Sequence, residues 1–465
     1  MGKPAFSPIR DFISGVIMAA TSVPQLVGYA ETVGIASYRG LATAGPSLFA
    51  WGLTTGSPFM NSGVTSVTAL MAKTDLGGES YVAEFGEEAY VKLVASYSLW
   101  VGFASIFLAL VGFGKLAKSV PKNVRVGFKW GCSVGVVGSA IPNGLLANGS
   151  SELKKHISNS DVVGNIVTYF KSNFPAATGA VSVTNVLYAI SNPSLWGIIP
   201  AVVFFTSTYF VMQGPKFLPK ALPPGTEVIL ATAAATLLSM YSDYPGAVVG
   251  KIPQLDPNAG IRLGEYIRIP VELINIQDLI NAPIVEQFGG SYVMLIISAT
   301  LFAAVNFLSI MGIASGFEAE NGIAWSAPRE LTAQGIACGV AGITGSPPVS
   351  GSMSRSLVSR MTGTTSQLAC MITALTWIYL MPYMTIMSPT PKAALSAVII
   401  SAVIKSVLIP KDLIKMKGSD SFIGWGTGIA TALTSPTFGF GIGLILASVF
   451  GNLLFPKKIQ KKKMR

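Results

Sequence analysis

Long apolar runs that recur along almost the whole chain are the feature that most limits its possible folds. They extend from Ile13 to Phe455 and contain few charged residues. Only 11% of the 465 residues are charged, whereas a soluble domain carries about 25%. A helix needs about 20 apolar residues to cross a bilayer, and it satisfies its own backbone hydrogen bonds there. The sequence therefore predicts an all-α polytopic membrane protein.

The apolar runs predict twelve to fourteen spans, and numbering fourteen makes the third and the tenth short. The first seven lie at residues 11–31, 40–56, 64–73, 90–113, 124–142, 195–213 and 226–243. The second seven lie at residues 291–315, 331–344, 353–363, 366–386, 391–408, 420–434 and 438–454. This predicts a first repeat at 1–243, a second at 244–455 and a basic cytosolic tail at 456–465. Seven spans in each repeat would make the two repeats inverted in the membrane.

Two short motifs, one in each repeat, are built alike. In residues 56–66 the sequence Gly-Ser-Pro leads into Ser-Gly-x-x-Ser, and residues 345–354 repeat this pattern with one residue of difference in spacing. In each motif, Gly and Pro interrupt an apolar region, and small hydroxyl residues then favour the start of a new helix. Paired broken helices in corresponding halves are typical of a transporter binding site. The alternative is a coincidence between two turns.

The basic residues lie beside the predicted spans and predict the orientation of the chain. The loop at 75–88 contains acidic residues and no Lys or Arg, whereas the next connection carries a basic cluster from Lys115 to Lys129. By the positive-inside rule, the loop is extracellular and the cluster is cytosolic. Both termini are then cytosolic, with the plasma membrane as the expected location. The net charge of +11 reflects this orientation and not nucleic-acid binding.

Two long connections, at 143–190 and 244–288, are then extracellular. The first contains Asn148 in an Asn-Gly-Ser triplet, a candidate N-glycosylation site if the source is eukaryotic. It also contains His156, the only histidine, which is expected to be a solvated loop residue.

No cofactor or metal site is predicted, because the three cysteines show no metal-ligand spacing and lie in apolar runs as packing residues. They are Cys132, Cys338 and Cys370.

Several segments resemble the sulfate permease (SulP) family of anion transporters, which includes sulfate transporters, bicarbonate transporters and prestin. Val-Pro-Gln at 23–25, followed by Tyr-Ala at 29–30, is similar to the family's opening span. Gly-Ser-Met-Ser-Arg-Ser at 351–356 matches the motif of its tenth span, and 391–395 match its Pro-Lys-Ala-Ala-Leu. The resemblance covers nearly the whole membrane region. It implies a core of spans 1–4 and 8–11 and a gate of spans 5–7 and 12–14.

The resemblance also implies an anion site between the N-termini of spans 3 and 10. Two opposed helix N-termini offer N–H donors and partial positive charge to an anion. Arg355 would add a full charge, as the matching arginine does in the family; its alternative is an arginine that reaches the interface or pairs with a neighbour. Gln25 and Tyr29 match pocket-lining positions, and their alternative is interhelical packing. The predicted site residues are Gln25, Tyr29, Gly63, Val64, Thr65, Ser66, Ser309, Ser352, Met353, Ser354 and Arg355.

The chain departs from the family pattern at three places. Gly63-Val64-Thr65 stands where the family usually has Gly-Pro and an apolar residue, which predicts a more polar pocket. Ser309 stands where the eighth span usually carries an acidic residue associated with proton coupling or charge compensation. Coupling to protons through this span is therefore not expected. The C-terminal STAS domain of most members is expected to be absent, because only 456–465 follow the last predicted span.

The sequence thus predicts a secondary transporter of sulfate or a similar small anion, acting by exchange or uniport with alternating access. The alternatives are an anion channel, a voltage-responsive anion-binding membrane protein, and a nucleobase or borate carrier of the same fold. That last carrier is disfavoured because such sites use acidic residues in spans 8 and 10. An enzyme is not predicted, since neither His-Glu-x-x-His nor Gly-x-Ser-x-Gly occurs. The expected partners are the anion, membrane lipid and a second copy of the chain in a homodimer.

Overall fold

The computed structural model of the chain describes residues 5–117, 120–149, 178–219, 222–252, 260–263 and 267–453, with a few separate positions between 153 and 169. The predicted basic tail and His156 lie outside the described residues. Six of the described helices are each long and apolar enough to cross a membrane. Many of their outward side chains are large and apolar, such as Phe103, Leu110 and Ile198. The chain is an integral, multi-pass membrane protein.

A helix lies at each of the fourteen predicted spans in the described part of the chain. The first seven are α1 Pro8–Val33, α2 Ala44–Thr54, α3 Ser66–Asp75, α4 Glu87–Leu110, α5 Lys122–Leu145, α6 Ile198–Phe217 and α7 Thr226–Tyr241. The second seven are α8 Tyr292–Asn321, α9 Ala327–Ile343, α10 Met353–Met361, α11 Leu368–Leu380, α12 Lys392–Leu408, α13 Ser419–Leu433 and α14 Pro436–Leu453. As predicted, α3 and α10 are the shortest of the fourteen, with 10 and 9 residues.

Shorter elements connect these helices. The short α-helices are Arg39–Ala42, Gly78–Phe85, Phe113–Ala117, Thr178–Ser191, Ile276–Ile280, Ile284–Gln287 and Lys411–Ile414, and Pro193–Leu195 and Met381–Met387 are 3-10 helices. The strands are β1 Ser62–Gly63, β2 Ile261–Leu263, β3 Ile267–Ile269 and β4 Ser350–Gly351. Strand β1 pairs with β4 and β2 with β3, both antiparallel. The β1–β4 pair joins the two motifs that the sequence analysis singled out.

The helix Thr178–Ser191 lies within a connection that was predicted only as an extracellular loop. It packs against α5 and α13. Its 14 residues rise by about 21 Å, which is shorter than the apolar thickness of a bilayer, about 30 Å. A search for runs of spanning length therefore passes over it.

Glycines allow the most extensive helix contacts to be close. At Gly102 on α4, an added Cβ would lie 2.9 Å from the carbonyl oxygen of Gly335 on α9. At Gly127 on α5, it would lie 2.0 Å from the carbonyl oxygen of Gly424 on α13. Backbones that approach this closely gain packing contacts that lipid cannot replace. The glycine content of the chain thus serves helix association as well as turns.

Gly127→Ala is expected to destabilise the protein by about 1–3 kcal/mol, because its Cβ would push α5 and α13 apart. The measurement is the midpoint of thermal unfolding in detergent. The matched control is Gly441→Ala on α14, where an added Cβ meets nothing within 4 Å. Equal midpoints for the two variants would contradict the tight α5–α13 contact.

Candidate functional site

The two motifs pair side by side through a short antiparallel backbone ladder. Ser62 pairs with Gly351, and Gly63 pairs with Ser350. Each Ser thus pairs with the Gly of the other strand, so the pairing is symmetric between the two strands. The pairing continues where the Ser352 N–H donates to the carbonyl oxygen of Asn61 at 2.9 Å. The pairing of residues 61–63 with residues 350–352 forms the crossing of the two motifs. Because α3 and α10 follow the two strands closely, their N-termini face each other across this crossing.

The two helix N-termini at the crossing are capped differently. Thr65 is the N-cap of α3, and its hydroxyl accepts from the Thr68 N–H at 3.2 Å. In return, the Thr68 hydroxyl accepts from the Thr65 N–H at 2.9 Å, which completes a capping box. Ser352 is the N-cap of α10, and its side chain forms no capping hydrogen bond; it lies 3.3 Å from the Ser354 hydroxyl. The N-terminus of α10 is thus the one with more unused N–H groups.

Arg355 is buried at the crossing, with only 1% of its surface exposed. Its Nη1 and Nη2 atoms each donate to the carbonyl oxygen of Val64 at 3.1 Å, while its Nε has no hydrogen-bond partner. Among the described residues, no carboxylate lies within ion-pair distance of this guanidinium. Arg355 therefore does not reach the interface. Its neighbour is the neutral carbonyl of Val64, which leaves the positive charge without a balancing carboxylate among the described residues.

Gly63 makes room for that guanidinium. An added Cβ would lie 3.0 Å from Arg355 Nη2, and the φ angle of Gly63 is 155°, which L side chains rarely adopt. The Val64 side chain is itself buried, and its carbonyl oxygen accepts both Arg355 hydrogen bonds. The departure from the family's Gly-Pro at this point therefore leaves the Arg355 contact in place.

Helix α1 brings two predicted site residues to the crossing. Tyr29 is buried and lies close enough to Ser66 and Arg355 to interact with both. Gln25 is one turn earlier on the same face, and its Oε1 atom is buried without a hydrogen-bond partner. Asn61 Oδ1, Ser62 Oγ and Arg355 Nε share this unpartnered state. Buried polar atoms are normally paired, so the unpartnered atoms of Asn61, Ser62 and Arg355 at the crossing suit a polar ligand.

Helix α8 supports the crossing from the side of β4. Asn306 Nδ2 donates to the Val349 carbonyl at 3.3 Å, and the Ser350 hydroxyl donates to the Asn306 carbonyl at 3.2 Å. Ser309 is half-buried and lies three residues further along the same helix face. It is therefore on the side of α8 that carries Asn306, and its role in the site stays a prediction.

Two predicted site residues lie on the exposed side of α10. Met353 is 46% exposed and Ser354 is also exposed, whereas Arg355 in the same turn is buried. The exposed side continues through Leu357 and Met361. Met353 and Ser354 therefore lie outside the buried interior of the crossing.

Glu330 is a buried site-supporting residue that sequence reasoning assigned no role. It accepts hydrogen bonds from the Thr55 hydroxyl at 2.7 Å and from the Gly56 N–H at 2.9 Å. Arg329 donates to the carbonyl oxygens of Thr54 and Thr55. The start of α9 thus holds the start of the first motif. The sequence shows an acidic residue at the start of an apolar run, but the neighbouring residues do not indicate which residue it bonds.

The three cysteines are free and buried, which agrees with the packing role that was predicted for them. Asn148 is exposed in the turn after α5, and its glycosylation stays a prediction.

A bundle of apolar helices in which the N-termini of two short helices flank a buried arginine defines a multi-pass membrane protein with a buried polar centre. The model of the Sulfate permease family matches residues 9–426, and the chain belongs to this family. The resemblance that its motifs indicated is thereby confirmed. Since this is a family of transporters, the enzyme class is set aside.

Two relatives illustrate the match. A probable sulfate transporter of Mycobacterium tuberculosis (strain CDC 1551 / Oshkosh) is 26% identical over 447 residues, covering 96% of this chain and 69% of that protein. The solute carrier family 26 member 6 of Homo sapiens is 26% identical over 472 residues, covering 97% of this chain and 56% of that protein. The chain therefore spans only part of each relative's length.

Solved structures share the fold. A structure of SLC26A9 superposes with a TM-score of 0.74 at 18% identity, covering 95% of this chain and 64% of that one. The transmembrane domain of the cyanobacterial bicarbonate transporter BicA superposes with a TM-score of 0.69 at 15% identity, covering 96% of this chain and 99% of that one.

Proposed function

We propose that the chain is a secondary transporter that binds sulfate or a similar small anion between the N-termini of α3 and α10. The observation that carries the proposal is Arg355, a buried guanidinium with no carboxylate partner among the described residues. A charge buried in this way is costly unless another charge balances it. An anion at the crossing supplies that charge, and the relatives named as sulfate transporters support the same class of substrate.

The donors around Arg355 suit an oxyanion. The N-terminus of α10 offers backbone N–H groups and partial positive charge. The hydroxyl of Ser66 and the Nε of Arg355 add side-chain donors, and the Ser354 hydroxyl adds one from the exposed side of α10. A nucleobase or borate carrier is disfavoured, because α10 contains no acidic residue and α8 has none before Glu318.

Two inverted repeats of seven helices fit the packing. The symmetric β1–β4 register supports a two-fold axis through the crossing. The α4–α8 contact has a counterpart in the α11–α1 contact, as expected if helix n corresponds to helix n+7. By the same relation, the α5–α13 contact corresponds to the α12–α6 contact. The proposed repeats are residues 1–243 and 244–455.

A core of α1–α4 with α8–α11 and a gate of α5–α7 with α12–α14 would allow alternating access. The closest helix contacts support the division, because they join α4 with α9 and α2 with α11 in the core, and α5 with α12 and α13 in the gate. Contacts between the sets are fewer and include α1 with α12 and α3 with α14. Rigid movement of the core would carry the site from one side to the other.

Uptake of labelled anions into proteoliposomes tests the proposed function. Sulfate, chloride, bicarbonate, oxalate, nitrate and molybdate form the panel, and at least one of them is expected to saturate and to be competed by another. Failure of every anion to be taken up would contradict the proposal. A conductance that rises without saturation would identify a channel instead.

The proposed orientation is tested with single cysteines, since the three native cysteines are buried. Cysteines at Glu84 and Asn148, both exposed, are expected to react with an impermeant reagent from outside intact cells. One at Lys461 is expected to react only after permeabilisation. External labelling at Lys461 would contradict an even number of crossings, and with it the two repeats of seven.

A further inference from the structure

Asp75, the last residue of α3, is a carboxylate on which four helices converge. Its Oδ2 atom accepts a hydrogen bond from the Tyr97 hydroxyl of α4 at 3.0 Å and from the Thr437 hydroxyl of α14 at 2.9 Å. The Ser298 hydroxyl of α8 also contacts Asp75 and lies 2.7 Å from the Tyr97 oxygen. Asp75 is half-buried, while Tyr97 and Thr437 are buried. Neither the family motifs nor the crossing accounts for this cluster.

All three partners of Asp75 are neutral, and among the described residues no basic side chain lies within ion-pair distance of it. Helix α14 carries no charged residue, and α8 carries none before its last turn. The basic residues of α5 lie in its first eight residues. The acids on elements near Asp75 are Glu31, Glu84, Glu87, Glu88 and Glu286, and Arg10 and Asp11 lie at the start of α1, the end opposite to Glu31. The other bases are Lys92, which pairs with Asp278, and Lys73, which has an interaction of its own.

The spacing of the oxygens favours a proton over a metal ion at this place. The hydroxyl oxygens of Thr437 and Tyr97 lie 2.9 and 3.0 Å from Asp75 Oδ2, and those of Tyr97 and Ser298 lie 2.7 Å apart. These are direct hydrogen-bond distances. A metal ion among them would have to separate these oxygens, because its ligands surround it. A proton on the carboxyl group needs no extra space, and each hydroxyl can remain a hydrogen-bond partner.

We propose that Asp75 is a proton-binding site that controls the opening of the outer side of the transporter, an inference that rests on the proposed function. Asp75 belongs to the core, and Thr437 belongs to the gate, on the side assigned as extracellular. Opening would separate α3 from α14, break the Thr437 contact and admit water to the carboxylate. Water stabilises the ionised form, whereas the closed arrangement offers it only neutral donors. The proton therefore binds more tightly to the closed arrangement, and external acid favours closure.

The proton in this scheme comes from external water and returns to it. It changes the rate of opening and does not travel with the anion. The scheme is thus compatible with Ser309 in α8, where no acid is present to carry a proton across.

The first test is anion uptake by the full chain at varied external pH. Wild-type uptake is expected to slow by about tenfold from weakly alkaline to weakly acidic external pH, as the carboxyl group titrates over about one to two pH units. Asp75→Asn is expected to abolish this dependence. The matched control is Asp278→Asn, which removes a half-buried acid paired with Lys92 at 3.1 Å and is expected to keep the wild-type profile. If Asp75→Asn fails to fold, Thr437→Val serves instead and is expected to shift the profile to more alkaline pH.

A flat wild-type profile, or a wild-type profile in Asp75→Asn, would overturn the proposal. Replacement of sodium by choline that alters wild-type uptake but not that of Asp75→Asn would assign a metal cation to the site and also overturn it. So would a reversal potential that follows an imposed proton gradient in wild type but not in Asp75→Asn, because the proton would then travel with the anion.

Infrared difference spectroscopy tests the site without transport. The C=O stretch of a protonated carboxyl group is expected to appear on acidification of the wild type and to be absent from Asp75→Asn. Its appearance in a protein that moves no anion would leave the proton site standing and reject the proposed function. Anion uptake without this stretch would reject the proton site alone.

Discussion

Replacing Arg355 with alanine is expected to weaken anion binding by about 30- to 100-fold. The guanidinium is the full positive charge at the crossing, and a hydrogen bond to a charged group contributes about 1.5–3 kcal/mol. With the loss of the charge itself, the expected loss of binding free energy is about 2–3 kcal/mol. Because about 1.4 kcal/mol corresponds to a factor of ten in affinity, this loss gives the expected fold-change. The measurement is the dissociation constant of the transported anion from isothermal titration calorimetry in detergent.

Two variants on the same helix act as controls for Arg355→Ala. Arg355→Lys keeps the charge but not the two-pronged contact with Val64, and an intermediate affinity is expected. Arg360→Ala removes an arginine that is half-buried and donates to Asn321 at 3.3 Å, away from the crossing. It is expected to leave affinity unchanged. Wild-type affinity in a folded Arg355→Ala protein would remove Arg355 from the site.

Placing an acid in α8 with Ser309→Glu is expected to reduce anion affinity by about tenfold or more at neutral pH. A carboxylate beside the crossing repels an anion, and two unit charges about 4 Å apart interact by several kcal/mol at a low effective dielectric constant. Acid should relieve this repulsion, because protonation of the glutamate removes its charge. The measurement is apparent affinity for uptake at several pH values, with the same pH on both sides.

Ser309→Gln is the matched control, since it has the size of glutamate without the charge. The ratio of Ser309→Glu to Ser309→Gln activity is expected to rise on acidification, which separates this effect from any pH dependence through Asp75. The wild type should show a reversal potential that is independent of proton and sodium gradients. Wild-type accumulation driven by either gradient, at clamped voltage and without a counter-anion, would show that ion coupling arises elsewhere in the chain.

The sequence predicted the helices well, because bilayer-spanning helices need long apolar runs. It also located the breaks before α3 and α10, since Gly and Pro cannot continue a helix without cost. Arg355 was singled out because the motif at 351–356 resembles that of the family's tenth span, which carries a matching arginine. These signals are all local in the chain.

What the sequence did not predict depends on contacts between distant residues. Glu330 holds the first motif through Thr55, 275 residues earlier. Asp75 was assigned to the extracellular loop at 75–88, whose residues include acids and no Lys or Arg. Its hydrogen bond from Thr437 joins residues 362 positions apart. A polar residue in a membrane sequence shows that a partner exists, but its position along the chain does not say which residue that partner is.

The two-residue ladder between β1 and β4 has a consequence for how affinity relates to direction. The ladder and the bonds from Arg355 to Val64 tie α3 and α10 together, so neither half-helix can shift without the other. The anion-binding groups would then keep the same mutual geometry whichever solution they face. Intrinsic affinity measured from the two sides should be equal. Any rectification of the flux would have to come from unequal populations of the two orientations, and not from two different sites.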